Sequence, residues 1–320
     1  MLPLISRARA PTTCVLIRNP ASRQALDDAT LSRVLEEAAR SGWQVDPCFA
    51  EFPGHTTELA RQAAARGAQV VLVYGGDGTI NEAVNGIAGT RTALAVLPGG
   101  TANVWAKETR ISRDPVAAMR AAADGERRQV DLGRANGRYF LLMAGVGLDG
   151  EVIERVRPDA KRRFGALSYL MAAVPTALQT RPWAARLRID GEEIETPLYW
   201  MVIGNTRSYG GFRDITHRAQ ADDGKLDVAI MQRGGIVRLA LDGARMMIGQ
   251  HDRSANIRYL RATAIAVETP GLPVQVDGEP AGETPMVFDI VPRALTVIVP
   301  RGLRTPLFTG AGDAAPAGRG

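Results

Sequence analysis

Val70-Val71-Leu72-Val73-Tyr74 is an unbroken apolar run that ends directly on Gly75-Gly76-Asp77-Gly78-Thr79. A strand apolar on both faces belongs inside a parallel sheet covered by helices, not on a sheet with one wet face. Helical periodicity resumes near Ile80, so the glycines stand at a strand-to-helix junction. In such sheets, ligands bind outside the carboxyl ends of the strands. The junction therefore predicts an α/β fold and marks the edge at which chemistry belongs.

The neighbouring sequence keeps the same alternation. Thr13–Ile17 is a β-branched apolar run closed by Asn19-Pro20, and Leu31, Val34, Leu35 and Ala38 then recur at helical spacing up to Gly42. A second strand is expected over Gln44–Phe49. The helix after it takes Thr56 or Thr57 as N-cap, turns Leu59 and Ala63 inward and ends before Gly67. Ala93–Leu97 reads as a fourth strand, and Asp114-Pro115 opens a helix through Val116 and Met119. Strands joined by helices imply parallel pairing with right-handed crossovers.

Past Asp131 the texture changes. Gln129–Ala135 and Arg138–Ala144 flank Asn136-Gly137, and Arg186–Ile189 and Glu193–Tyr199 flank Asp190-Gly191. Both dipeptides are two-residue hairpin signals. Further strands read at Trp200–Ile203, Leu226–Met231, Tyr259–Glu268, Val274–Val276, Met286–Ile290 and Ala294–Val299, with helical stretches only at Ala166–Gln179 and Ile236–Ile248. The expected architecture is an α/β domain with a parallel sheet (residues 1–132), a β-sandwich-like domain (133–308) and a Gly/Ala/Pro-rich tail (309–320).

A chain of 320 residues with 45% hydrophobic and 23% charged residues can bury two cores. Its formal net charge of +5 suits anionic partners but is too small for a dedicated nucleic-acid binder. Cys14 and Cys48 fall in apolar runs and read as reduced core thiols. His55, His217 and His251 show no metal-binding spacing. The apolar stretch in Met1–Ala10 is short for a signal peptide, and no run approaches the roughly 18 apolar residues of a membrane span. A cytoplasmic protein is expected; oligomeric state is not readable.

Consecutive glycines let backbone approach a phosphate chain, and the helix that follows offers its free N–H groups to an anion. Asp77 would be repulsive there by itself and makes sense through Mg²⁺ or its waters. Leu97-Pro98-Gly99-Gly100-Thr101-Ala102-Asn103 forms a second glycine loop after the next strand, and two such loops on neighbouring strands can enclose a nucleotide triphosphate. Neither loop fits the P-loop or the dinucleotide Gly-x-Gly-x-x-Gly pattern. Each alone could be a plain turn.

Together, Gly75-Gly76-Asp77-Gly78-Thr79-Ile80-Asn81-Glu82 and the second loop resemble the catalytic domain of the diacylglycerol kinase family, its bacterial lipid kinases in particular. Asn19-Pro20, Asp131-Leu132-Gly133, Ala144–Asp149, Ala221–Asp227 and Asp277-Gly278-Glu279 continue the likeness in the family's order. The resemblance implies transfer of the γ-phosphate of ATP, with Mg²⁺, to the hydroxyl of diacylglycerol or a related lipid. ATP would contact Asn19, Gly75, Gly76, Asp77, Gly78, Thr79, Ile80, Asn81, Glu82, Gly100, Thr101 and Asn103. Glu279 would be the general base, with Asp277 in a metal and water network alongside Asp77 and Asp131. A structural Mg²⁺ would take the Asp223 carboxylate and the backbone carbonyls of Gln220 and Lys225. On an extended strand, Asp277 and Glu279 would face the same side.

Ala50 stands where the family usually has a nucleotide-touching Thr, and Met143 where it has a polar residue. Without the resemblance, Asp277-Gly278-Glu279 reads first as a hairpin turn, as Asp190-Gly191-Glu192 does. NAD kinases share the Gly-Gly-Asp-Gly-Thr core, so a soluble-substrate kinase is the alternative, and a silent lipid- or nucleotide-binding regulator is another. Lys161-Arg162-Arg163 before the apolar Phe164–Val174 has two readings, a helix lying on an anionic membrane surface or a buried helix with a solvated basic start.

Overall fold

A computed structural model describes residues 11–19, 26–155, 175–177, 179–209, 214–235, 245 and 254–309. The first half alternates β1 (Thr12–Arg18), α1 (Asp28–Arg40), β2 (Trp43–Phe49), α2 (His55–Ala65), β3 (Val70–Gly75), α3 (Asp77–Ile87) and β4 (Ala93–Pro98). Two helices follow, α4 (Val104–Glu108) and α5 (Pro115–Ala123). The chain continues through β5 (Glu126–Ala135), β6 (Arg138–Phe140), β7 (Met143–Gly147) and α6 (Leu148–Arg155). It then runs through β8 (Trp183–Ile189), β9 (Glu192–Leu198), β10 (Trp200–Gly204), β11 (Leu226–Met231) and β12 (Ile257–Ala262). Last come β13 (Ala264–Val267), β14 (Pro273–Val276), β15 (Glu279–Glu283) and β16 (Met286–Val299).

Strands β2, β1, β3 and β4 lie side by side and parallel. Every residue of β3 and β4 is buried, because helices cover both faces of the sheet. Complete burial of each Val or Leu there contributes about 1.5–3 kcal/mol relative to exposure. The Asp27 carboxylate accepts the Thr30 N–H at 2.6 Å to start α1, and Asp114 accepts the Ala117 N–H at 2.7 Å to start α5 with Pro115 behind it. Helix α2 starts differently from the expectation. Its N-cap is Gly54, in the left-handed region at φ 85°, while Thr56 is buried and Thr57 donates to the Glu82 carbonyl at 2.8 Å. Cys14 is buried, which pushes its thiol pKa up to about 12; Cys48 is only half-buried.

The second half is antiparallel. Asn136-Gly137 and Asp190-Gly191 both turn through two left-handed residues, as their hairpins require. Sheet β12-β11-β10-β7-β14-β15 packs on β8, β9, β13 and the start of β16, with Val146, Met201, Ile203, Val228, Leu187, Ile265 and Phe288 filling the space between. This is the sandwich-like half. The expected strands divide otherwise at three places, and the first is Arg138–Ala144, which splits between β6 and β7. The segment 259–268 breaks at Thr263, whose N–H donates to Asp190 at 2.9 Å, and its two halves join different sheets. Residues 286–299 form one strand with an irregularity between Val291 and Leu295. That strand pairs with β13 near its start, with β4 near its end and with β5 along its length. Val297, Val299, Leu307 and Phe308 thus join the core built by the first half.

Among the described residues no helix is long and apolar enough to cross a membrane. Lys161–Val174 and most of Ile236–Ile248 lie outside the described residues.

Candidate active site

The two glycine loops touch each other through bare backbone. A side-chain carbon added to Gly100 would stand 2.5 Å from the Gly76 Cα, closer than any real contact. The Gly99 N–H donates to the Gly75 carbonyl at 2.8 Å, which extends the β3–β4 ladder into the loops. Asn103, left-handed at φ 47°, grips Gly100 with both ends of its amide: it accepts the Gly100 N–H at 2.9 Å and donates to the Gly100 carbonyl at 2.7 Å. Glycine at these positions is therefore required first by the approach of one loop to the other.

Helix α3 begins at Asp77, inside the first loop, so its free N–H groups face the carboxyl edge of the sheet. The Asp77 carboxylate reaches across to the second loop and accepts the Val104 N–H at 2.8 Å, capping α4. Burial raises its pKa, opposed by the N–H groups of Val104 and Trp105. Asn19 donates to the Thr79 hydroxyl at 3.3 Å, which brings the end of β1 to the first loop. Thr101 is exposed at the same edge. Gly75, Gly76, Asp77, Gly78, Thr79, Gly100, Thr101 and Asn19 are therefore gathered at one place.

The side chains of four expected nucleotide contacts turn elsewhere. Ile80 is a core side chain, 2% exposed. The Asn81 amide donates to the Asp277 carboxylate at 2.7 Å and to the Tyr139 carbonyl at 3.0 Å. Glu82 accepts the Gly54 N–H at 3.1 Å and so serves the start of α2. Asn103 shapes its own loop.

The third turn comes from the sandwich half. Asp277 and Gly278 are both left-handed, at φ 48° and 81°, and reverse the chain between β14 and β15. The Asp277 carboxylate is buried and accepts four donors: the N–H groups of Leu141, Leu142 and Met143 at 2.9, 3.0 and 2.8 Å, and the Asn81 amide. Burial pushes its pKa up to about 6, with those N–H groups opposing. Asp277 is thus a brace that ties α3 to the strand break at residues 141–142. It does not share a face with Glu279, because the left-handed turn between them undoes the strand alternation. Glu279 is half-exposed, and its Oε1 lies 3.4 Å from where a side-chain carbon on Gly78 would stand.

The carboxylates among the expected metal ligands have protein partners. Asp131 accepts the Gly224 N–H at 2.6 Å and the Arg293 N–H at 2.7 Å. It braces the 222–224 turn and the irregular part of β16. Asp223 accepts the Lys225 N–H at 3.0 Å and ion-pairs with Arg261, whose Nε also lies 3.3 Å from Asp227. The Arg261 guanidinium is thus the partner of the Asp223 carboxylate, which the resemblance assigns to Mg²⁺ together with the carbonyls of Gln220 and Lys225. Among the described residues no group of three His, Cys, Asp or Glu side chains could hold a metal ion. Asp77, partly exposed within the glycine loops, is the carboxylate whose surroundings fit a nucleotide-borne Mg²⁺.

Sequence reasoning missed α4, α6, β15 and the buried polar groups behind the site. Asn205 donates to the carbonyls of Asp131 and Leu141 at 2.9 Å each. Asp149 and Gln275 hydrogen-bond each other at 2.6 Å. Their signal was a polar residue inside, or directly after, an otherwise apolar strand.

Residues 13–135 match the family model described as the diacylglycerol kinase catalytic domain, and residues 143–299 match the YegS C-terminal NAD kinase beta sandwich-like domain. A diacylglycerol kinase of Mycobacterium tuberculosis is 35% identical over 250 residues, covering 76% of this chain and 81% of that protein. The diacylglycerol kinase of Bacillus subtilis is 28% identical over 290 residues, covering 89% and 96%. In fold, the chain is similar to a crystal structure described as a diacylglycerol kinase from Bacillus anthracis, with TM-score 0.76 and 24% identity over 91% of this chain and 98% of that one. Two glycine loops locked backbone to backbone, a carboxylate brought to them from the sandwich, and these likenesses along both halves place the chain in the diacylglycerol kinase family.

Proposed function

We propose that this chain is an ATP-dependent lipid kinase that moves the γ-phosphate of ATP to the hydroxyl of diacylglycerol or a related lipid. The observation that carries the reading is the Glu279 carboxylate set against Gly78 in the first glycine loop. The N–H groups at the start of α3 and the bare backbone of Gly76 and Gly78 suit a phosphate chain. Mg²⁺ arriving with ATP would be held by the phosphates and by Asp77, and would neutralise charge on the transferring group. Glu279 would take the proton of the lipid hydroxyl as the new P–O bond forms and the bond from the γ-phosphorus to the bridging oxygen breaks, releasing ADP. Asp277 would act through position alone, since its carboxylate oxygens already serve four protein donors. Contact with membrane lipid would be peripheral, and the boundary between an ATP half and a lipid half is proposed near residue 132.

Thin-layer chromatography of lipids labelled from γ-labelled ATP, run beside NAD as acceptor, tests the reading. A labelled lipid is expected. Label on NAD with none on lipid would overturn it.

A further inference from the structure

Behind the Asp277-Gly278-Glu279 turn lies a chain of buried polar side chains that the transfer itself does not use. Gln275, on β14, is 2% exposed. Its Oε1 accepts the Gly278 N–H at 2.8 Å, and its Nε2 donates to Asp149 Oδ2 at 2.6 Å. The other carboxyl oxygen of Asp149 accepts the Tyr209 hydroxyl. Asp149 sits in the first turn of α6, where Gly145 makes room for it: a side-chain carbon on Gly145 would fall 1.7 Å from Asp149 Oδ2.

A carboxamide has one donating and one accepting end, whereas an ionised carboxylate only accepts. Asp149 therefore dictates which way the Gln275 amide faces. With its NH₂ turned to Asp149, the carbonyl oxygen must face Gly278; flipped, two donors would confront each other at a buried site. We propose that Asp149 and Gln275 are positioning residues, which fix the Asp277-Gly278 turn so that Glu279 projects over the first glycine loop. This rests on Glu279 being the base.

The turn needs such a hold. Asp277 is in the left-handed region, which crowds the side-chain carbon of a residue other than glycine against the following carbonyl. The Asp277 side chain anchors the near end of the turn, and the Gln275 bond to Gly278 anchors the far end, next to Glu279. Burial pushes the Asp149 pKa up to about 7, with the Gln275 amide opposing. A protonated carboxyl group still offers Gln275 an acceptor oxygen, so the orientation survives either state.

The test uses the full chain in a lipid phosphorylation assay. Gln275→Met keeps the length of the side chain and removes both hydrogen bonds. Asp149→Asn keeps an acceptor for Gln275, and Asp149→Ala does not. The variants are measured alone and combined with Glu279→Gln, with melting curves to establish folding. Gln275→Met and Asp149→Ala should each lower kcat about 10- to 100-fold, the scale of a small misplacement, while KM for ATP stays within about twofold. Asp149→Asn should keep most of the rate. In the Glu279→Gln background, Gln275→Met should cost nothing further, because both act through one group. A multiplied loss in the double variant, or a full kcat in Gln275→Met, overturns the positioning role and leaves the base assignment standing. Should Gln275→Met fail to fold, equal rates in Asp149→Asn and Asp149→Ala overturn it instead. An unchanged rate in Glu279→Gln alone sinks the base assignment and this inference with it.

Discussion

Glu279 and Gly78 meet across the two halves of the molecule, the carboxylate Oε1 standing 3.4 Å from the space a Gly78 side chain would fill. That distance is an ordinary contact, whereas a carbon on Gly100 would lie 2.5 Å from the Gly76 Cα. The two glycines should therefore respond differently. Gly78→Ala should fold and melt like the parent, yet raise KM for ATP by crowding the loop that phosphate must approach. Gly100→Ala forces two backbones apart and should cost about 1–3 kcal/mol of stability as well as activity. Urea unfolding beside steady-state kinetics checks both; equal destabilisation of the pair would contradict the packing.

Glu279→Gln keeps size and hydrogen bonding but removes proton affinity. kcat should fall about 10²- to 10⁴-fold with ATP binding little changed, since a base acts only during transfer. A raised KM for ATP with kcat preserved would make Glu279 a binding residue.

Elements were legible wherever the cause was local. The apolar β3 run, the Asp114-Pro115 start and the Asn136-Gly137 and Asp190-Gly191 turns all carry their reason within a few residues. The roles of carboxylates were not, because a carboxylate is defined by what it accepts from. Asp77 takes its donor from Val104, Asp131 from Gly224 and Arg293, and Asp277 from Leu141 to Met143, each far away in the chain. The family resemblance marked these residues as important and implied a metal network for them. The fold uses Asp131 and Asp277 as receptors for buried N–H groups at strand breaks, where backbone donors lose their ladder partners.

Arg261 meets the Asp223 carboxylate and, through Nε at 3.3 Å, that of Asp227. The guanidinium supplies positive charge that Mg²⁺ would otherwise bring. The parent's Tm should therefore be the same in EDTA and in Mg²⁺ to within about 1 °C. Arg261→Ala should melt lower and gain a Mg²⁺-dependent rise by mass action. A parent that melts lower in EDTA would show that a cation displaces Arg261.

Stability should fall as pH rises from about 5 to 8. Burial raises Asp149 and Glu108 to about 7, and Asp227 and Asp277 to about 6. Unfolded carboxyl groups titrate near 4, at roughly 3.9 for Asp and 4.3 for Glu. Between those values the native state binds more protons, so these groups favour folding fully at the acid end and lose that contribution as pH climbs through 6 to 7. Asp27, Glu37, Glu126 and Asp190 are shifted down and lose their contribution only below the unfolded values. Each extra proton gives a slope of up to about 1.4 kcal/mol per pH unit. Urea midpoints at pH 5.5 should exceed those at 7.5, and Asp149→Asn should flatten the profile; a midpoint that rises with pH would reverse the sign.

Asp277 separates bracing from catalysis. Its carboxylate satisfies the N–H groups of Leu141, Leu142 and Met143 together with the Asn81 amide, all buried where the chain leaves β6 for β7. Asp277→Ala leaves those donors without a partner, and each unmet buried donor costs roughly 1–3 kcal/mol. Because neighbours relax together, the total should be about 3 kcal/mol or more rather than a full sum. Asp277→Asn should fare little better, since its NH₂ would face a donor in place of one accepting oxygen. A purely catalytic or metal-binding Asp277 predicts the opposite pattern, activity lost with stability kept. Urea unfolding of both variants decides: midpoints equal to the parent's would return Asp277 to the reaction, and a large loss in both would establish it as the joint that lets α3 and the sandwich present Glu279 together.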